Sequence, residues 1–226
     1  MLSEIFKLFW KTVERKDARR INSQTPPTEI EQFCDIQYID DGLWQHRLDV
    51  YSKSGKLSHR PVIIDIHGGG WMYGTKEINK NYCLLLAQKD YVVVNINYRL
   101  APDFSVADQL RDCFFAFKWV STNIEKYGGD LNNVFVTGDS AGGFLAAYSA
   151  LLNSSEKLRK IFGVTESGLE FRACGLTSPV CFMNTHTFQD VYYSRVKGKE
   201  FSESTLRGFE NFDAVLNKGS MPPTFL

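Results

Sequence analysis

The sequence has no excess of either charge: 26 Lys and Arg residues balance 26 Asp and Glu. Without a net field there is no long-range attraction to nucleic acid, and no nucleic-acid partner is expected. The five cysteines, at positions 34, 83, 113, 174 and 181, are odd in number and lack CxxC spacing. That scatter argues against a disulfide framework and a zinc site, and fits reduced core thiols in a cytoplasmic protein. No stretch reaches the roughly 20 apolar residues of a membrane span. Charges also interrupt any signal-peptide core in "MLSEIFKLFWKTVERKDARR", so stable membrane insertion is not expected. There is no internal repeat and no low-complexity tract, and nothing in the sequence reports an oligomeric state. Histidine is scarce, with four residues at 46, 59, 67 and 186.

What is present suffices for one substantial core, since 43% of the 226 residues are hydrophobic. Leu2, Ile5, Phe6, Phe9, Trp10 and Val13 recur at helical spacing, which predicts a helix packed on its own domain. The basic residues from Arg15 to Arg20 leave peripheral membrane contact as the alternative. "SQTPPTE" at 23–29 reads as a linker, so residues 1–28 are taken as cap helix and linker and 29–226 as the core.

"CDIQYID" and "QHRLDVY" around "DGLW" predict an antiparallel hairpin. "PVIIDI" (61–66), "YVVVNIN" (91–97) and "NVFVT" (133–137) read as buried strands, and "ACGLTS" (173–178) as a weaker fourth. Helices are expected over 76–89 and along the stripe Val106, Leu110, Cys113, Phe117, Val120. This alternation implies an α/β fold with a mostly parallel sheet flanked by helices. Residues 182–220 are polar, aromatic and in part helical, an insertion expected over the carboxyl edge of the sheet. Thr224, Phe225 and Leu226 read as the opening of another buried strand.

Two short segments carry chemistry. Gly138-Asp139-Ser140-Ala141-Gly142 matches G-x-S-x-G between a strand and an apolar helix, the setting of a nucleophile elbow. The glycines two before and two after Ser140 remove side chains that would collide with the sheet. "HGGGW" (67–71) follows a buried strand directly. Its consecutive glycines let backbone N–H groups face a ligand, as oxyanion-hole donors do. A phosphate-binding loop fits less well, because the GxGxxG and GxxxxGK[ST] spacings are absent.

In this order and at these separations, "HGGGW", "NYRLAP" (97–102), "YGGD" (127–130) and "GDSAGG" (138–143) resemble the hormone-sensitive-lipase-like carboxylesterases of the α/β-hydrolase fold. The resemblance runs from about residue 47 to 226. It implies Ser140 as nucleophile, and Gly69, Gly70 and Ala141 as oxyanion-hole donors. His67, Gly68, Asp139, Gly138 and Gly142 would support the two loops. The N-terminal helix, with part of 182–220, would cap an acyl pocket. The substrate would be a small-molecule ester, with no metal and no cofactor. Asp103 stands where the family usually has Glu.

In this fold the triad runs Ser, then Asp or Glu, then His along the chain. His186 is the one histidine after Ser140, and no candidate strand precedes it to carry an acid; Glu156, Glu166 and Glu170 fall in a charged helix end and loop. It is read as a surface or cap residue, and His46 and His59 as solvated. The acid and the histidine are therefore expected beyond Leu226, making the chain a fragment whose last strands and helices are absent. Two alternatives stay open: a formamidase-type amide hydrolase, and a non-catalytic binder lacking the histidine, as the gibberellin receptor does. The 226-residue chain alone is expected to turn over esters ~10⁴- to 10⁶-fold more slowly than an intact homologous hydrolase. It should also bind the dye ANS more strongly than that homologue; a monodisperse chain with a cooperative melt would count against this.

Overall fold

The structure is a computed structural model, described over residues 2–55, 59–183, 189–203 and 206–226. Side chains of residues 2–5, 7, 202 and 203 are not described. Helix α1 (Leu2–Asn22) precedes the hairpin β1 (Ile30–Gln37) and β2 (Arg47–Lys53). Then come β3 (Arg60–Ile66), a 3-10 turn (Lys76–Asn79), α2 (Lys80–Gln88), β4 (Val92–Ile96) and α3 (Val106–Asn123). The central unit follows: β5 (Gly129–Asp139), α4 (Ala141–Ser154), α5 (Glu156–Phe162) and β6 (Phe171–Thr177). Helices α6 (Gln189–Glu203) and α7 (Phe212–Leu216) lead to β7 (Thr224–Phe225).

Among the described residues the strand order is β1-β2-β4-β3-β5-β6-β7. The hairpin and the β2–β4 pair are antiparallel, and the remaining pairs are parallel. The apolar runs are buried on both faces because helices cover both. Val62, Ile64 and Ile66 of β3 and Val92, Val94 and Ile96 of β4 point into one core with α3 and α4. The alternate positions Tyr51 and Val93 meet Cys83, Leu84 and Ala87 of α2 on the other face. Every residue of α4 from Ala141 to Leu152 is buried, so its amphipathic signal is weak while its apolar character is high. Residues 182–220 are helical in part, as expected, with α6 kinked at Gly198 (φ 63°).

Three expectations need correction. Cys34 is exposed, while Cys83, Cys113 and Cys174 are the buried thiols. The strand at Thr224–Phe225 forms, but at the sheet edge, and Phe225 is 70% exposed. His46 is buried, not solvated. Its Nδ1 lies 2.7 Å from Asp41 Oδ2 and its Nε2 3.1 Å from Asp112 Oδ1. Burial alone would lower its pKa, but the Asp112 and Asp41 carboxylates outweigh that and raise it. The reason lies in α3. Asp112 is fully buried, and such a carboxylate must be paired. Arg99 of "NYRLAP" grips it through Nε and Nη2 at 2.7–3.0 Å, with the Arg99 amide at 2.9 Å; His46 completes the shell. His59 is exposed, as expected, and His186 lies outside the described residues. Replacing Asp112 with Ala removes this carboxylate from the partly buried Arg99 guanidinium and the buried His46 ring and should cost about 3–5 kcal/mol, read from urea unfolding at neutral pH.

Candidate active site

Strand β5 runs into α4 through a single residue, Ser140, at φ 50°, ψ −114°. A non-glycine residue there carries roughly 1–3 kcal/mol of strain. Its neighbours hold it there: the Ser140 amide donates to Thr177 O at 2.9 Å, and its carbonyl accepts from Phe144 N at 3.1 Å and Val180 N at 3.2 Å. The flanking glycines are needed because the turn brings backbone against backbone. A Cβ on Gly142 would overlap the carbonyl oxygens of Ile66 and His67, and one on Gly138 the Gly142 carbonyl. The sheet terminus that supplies "HGGGW" is thus packed directly on the first turn of α4. Ser140 itself is half-buried.

Asp139 ties the two segments together. Its Oδ1 accepts from the Gly68 amide at 3.0 Å and from Asn79 Nδ2 at 2.9 Å. The same Asn79 amide reaches Asp65 Oδ2 at 3.0 Å, so one NH₂ group bridges two carboxylates. Asp65 is fully buried, and desolvation, with a further contribution from the Asp139 charge, pushes its pKa up to about 7.

Three amides of these two segments, those of Gly69, Gly70 and Ala141, are each fixed in direction by bonds to the carbonyl behind them. A trans peptide points its N–H opposite its C=O, so a bond to the carbonyl fixes the direction of the N–H. The Gly68 carbonyl accepts from His67 Nδ1 at 2.7 Å, which orients the Gly69 N–H. The Gly69 carbonyl accepts from Tyr73 N at 3.0 Å and Met72 N at 3.2 Å, which orients the Gly70 N–H. The Phe144 and Val180 bonds to the Ser140 carbonyl do the same for Ala141, whose N–H, in the first turn of α4, has no intrahelical partner. Gly69 (φ 116°) and Gly70 (φ 57°) adopt backbone angles that favour glycine.

His67 is held for this task. It is fully buried, stacks on Tyr98 with ring centroids 4.3 Å apart, and burial lowers its pKa to about 4. The ring is therefore neutral at pH 7, with its proton on Nδ1. None of the described histidines, His46, His59 or His67, hydrogen-bonds Ser140.

A cavity of about 550 Å³ opens against Gly70, lined by Phe6, Phe9, Trp10, Trp71, Tyr192 and Tyr193. Its walls come from α1 and α6. The Tyr192 hydroxyl donates to the Gly70 carbonyl at 2.6 Å, and Trp10 stacks on Tyr73 at 5.3 Å. The other recurrent motifs have structural roles. The Trp71 carbonyl accepts from Ala101 N and Gln109 Nε2, which anchors the loop to "NYRLAP" and α3. "YGGD" forms the left-handed turn at Gly128 (φ 83°) that starts β5. Asp103 is exposed.

Comparison with known proteins agrees with this architecture. The BD-FAE family model matches residues 48–188. The chain belongs to the BD-FAE family. Esterase B from Lactobacillus rhamnosis, solved with a C4-C4 SN3 tributyrin phosphonate, superposes with TM-score 0.92 at 31% identity, over 99% of this chain and 72% of that one. The fold is that of the α/β-hydrolases. Isoprenylcysteine alpha-carbonyl methylesterase ICME of Arabidopsis thaliana is 28% identical over 80% of this chain and 45% of its own length. Arylacetamide deacetylase of Oryctolagus cuniculus is 47% identical over 55% of this chain and 32% of its own length. The chain thus spans about half the length, or less, of these curated relatives.

Of the residues that the sequence singled out, the structure joins Asp139 to Gly68 and packs Gly142 on the carbonyls of Ile66 and His67. Sequence reasoning missed Asn79, Asp65, Tyr98 and Tyr192. Asp65 had a signal, a carboxylate inside the apolar run "PVIIDI", and Tyr98 lies within the motif "NYRLAP"; Asn79 and Tyr192 had none. The raised pKa of Asp65 gives a pH test. Its folded value of about 7 exceeds the ordinary 3.8, so its stabilising contribution is full below pH 3.8 and lost as pH rises to about 7. Asp65→Asn should therefore gain on the native chain by about 1.4 kcal/mol per pH unit across that window, measured by urea melts. A pH-independent difference would mean that Asp65 is ionised throughout.

Proposed function

We propose that the whole protein is a serine carboxylesterase acting on small acyl esters through an acyl-enzyme on Ser140. The observation that supports this reading is the strained turn at Ser140 (φ 50°), tied through Asp139 to a glycine loop whose peptides are held in direction by bonds to their carbonyls. Ser140 Oγ attacks the ester carbonyl, and the developing oxyanion lies among the N–H groups of Gly69, Gly70 and Ala141. One such donor is typically worth about 3–4 kcal/mol of transition-state stabilisation. The leaving alcohol departs with a proton, and water then releases the acid from the serine ester. His67 acts as a positioning residue for the Gly69 amide, and Asp139 for the Gly68 amide. The base that serves Ser140 is not assigned among the described residues.

The aromatic cavity supports a small acyl group as substrate: about 550 Å³ beside Gly70 suits a short chain better than a polymer. Helix α1 and the segment around α6 are read as the cap over it. The five free cysteines support a reducing, cytoplasmic setting. Among the described residues no helix is long and apolar enough to cross a membrane. A fluorophosphonate probe applied to the whole protein should add once, at Ser140, read by peptide mass spectrometry. Ser140→Ala should abolish the adduct. Absence of labelling in the native protein, or labelling at another residue, removes the reading.

A further inference from the structure

Helix α1 uses one stripe for packing and leaves the opposite one to solvent. Phe6, Trp10, Val13, Asp17 and Ile21 recur at three- and four-residue steps and are half-buried. Phe6 meets Tyr192 edge-on at 5.0 Å, Trp10 stacks on Tyr73, and Asp17 accepts from the Tyr73 hydroxyl at 3.2 Å. The outer side carries Leu8 at 68% exposure and Phe9 at 57%. Lys11, Arg15, Lys16 and Arg19 continue it along the helix, all exposed. Among the described residues none of these four cations has a carboxylate partner, whereas Arg20 pairs with Asp17. Helix α1 holds three more basic than acidic residues in a chain of zero net charge. Residues 23–226 are therefore net negative by the same amount.

We propose that α1 is a peripheral membrane-binding element that lies on an anionic lipid surface. Lys11, Arg15, Lys16 and Arg19 face the acidic headgroups, and Leu8 and Phe9 enter the headgroup boundary. Such a basic, amphipathic, non-spanning helix binds through apolar burial together with charge. Its charge separation sets the orientation: the surface attracts α1 and repels the rest of the chain. Phe9 also lines the cavity beside Gly70, so this orientation turns the cavity mouth toward the bilayer, where esters of low polarity accumulate. A second copy of the chain is the weaker occupant, because it would place like charges against each other. The proposal concerns binding alone and does not depend on turnover at Ser140.

The test is flotation of the whole protein with phosphatidylcholine vesicles, with and without roughly 30% phosphatidylserine, at about 0.05 and 0.3 M salt. Binding should require the acidic lipid and fall steeply with salt. The variant R15Q/K16Q/R19Q should lose about fivefold in partition for each cation removed. Leu8→Gln should weaken binding without changing its salt dependence. Circular dichroism and melting identical to the native protein would show that both variants fold. Absence of binding, equal binding to both vesicle types, or folded variants that bind like the native protein would each overturn the proposal. So would a concentration-dependent dimer abolished by these substitutions, which would assign the face to a second copy.

Discussion

The bond from the Gly68 amide to the Asp139 carboxylate sets the relation between the two halves of the site. Asp139 immediately precedes the candidate nucleophile, and Gly68 immediately precedes the two loop amides, so one side chain ties Ser140 and the Gly69-Gly70 segment together. A Cβ on Gly68 would occupy the space of that carboxylate, which explains the first glycine of the run. The later two answer to different constraints, the positive φ of Gly69 and Gly70 and the aromatic roof of Trp10 and Tyr192 over Gly70. Three consecutive glycines thus have three separate causes. Asp139 also stands at the N-terminal end of α4, where a negative charge is favoured.

Maintaining that carboxylate has a cost that falls on Asp65. The two acids share the single NH₂ of Asn79, and a second buried charge so near the first is disfavoured. Burial and the Asp139 charge accordingly raise the Asp65 pKa. His67 resolves the parallel problem for a base. A buried imidazolium would be expensive, so the ring stays neutral, and its one N–H goes to the Gly68 carbonyl. The other ring nitrogen, Nε2, is buried without a hydrogen-bond partner, so the Nδ1 bond and the stacking on Tyr98 alone hold the ring.

Much of this was legible in the sequence because it rests on backbone requirements. Glycine spacing around Ser140 and in "HGGGW" reports close approach and positive φ, and both are local properties of the chain. The buried strands and the α3 stripe were legible for the same reason, since their periodicity mirrors burial. What escaped the sequence depends on distant partners. His46 reads as a hairpin residue beside polar neighbours; nothing local says that Asp112, 66 positions away, will be buried and take it as a second partner. Tyr192 is one aromatic in a polar stretch until the fold lays α6 across Gly70. Cys34 fails the core expectation because β1 is the outer strand of the hairpin, and its position near the register shift between Phe33 and Ile36 faces solvent.

The division between backbone and side chain also orders the chemistry. Everything that orients the three amides lies within residues 48–188, the span matched by the BD-FAE model. Those parts are the ends of β3 and β5, the first turn of α4, and the Thr177 and Val180 bonds to Ser140. They depend on sheet register and on a few hydrogen bonds, so they form when the central sheet forms. Proton transfer to and from Ser140 is a separate requirement, because no described histidine shares those bonds. The direction of these three amides is therefore a property of the fold itself, and any acid–base group serving Ser140 is an addition to it. Helices α1 and α6 meet the loop from outside: Trp10 and Tyr192 lie against Gly70, Trp10 stacks on Tyr73 and Tyr193 meets Trp71 edge-on, so they shape the cavity and also brace Tyr73, whose amide bonds the Gly69 carbonyl.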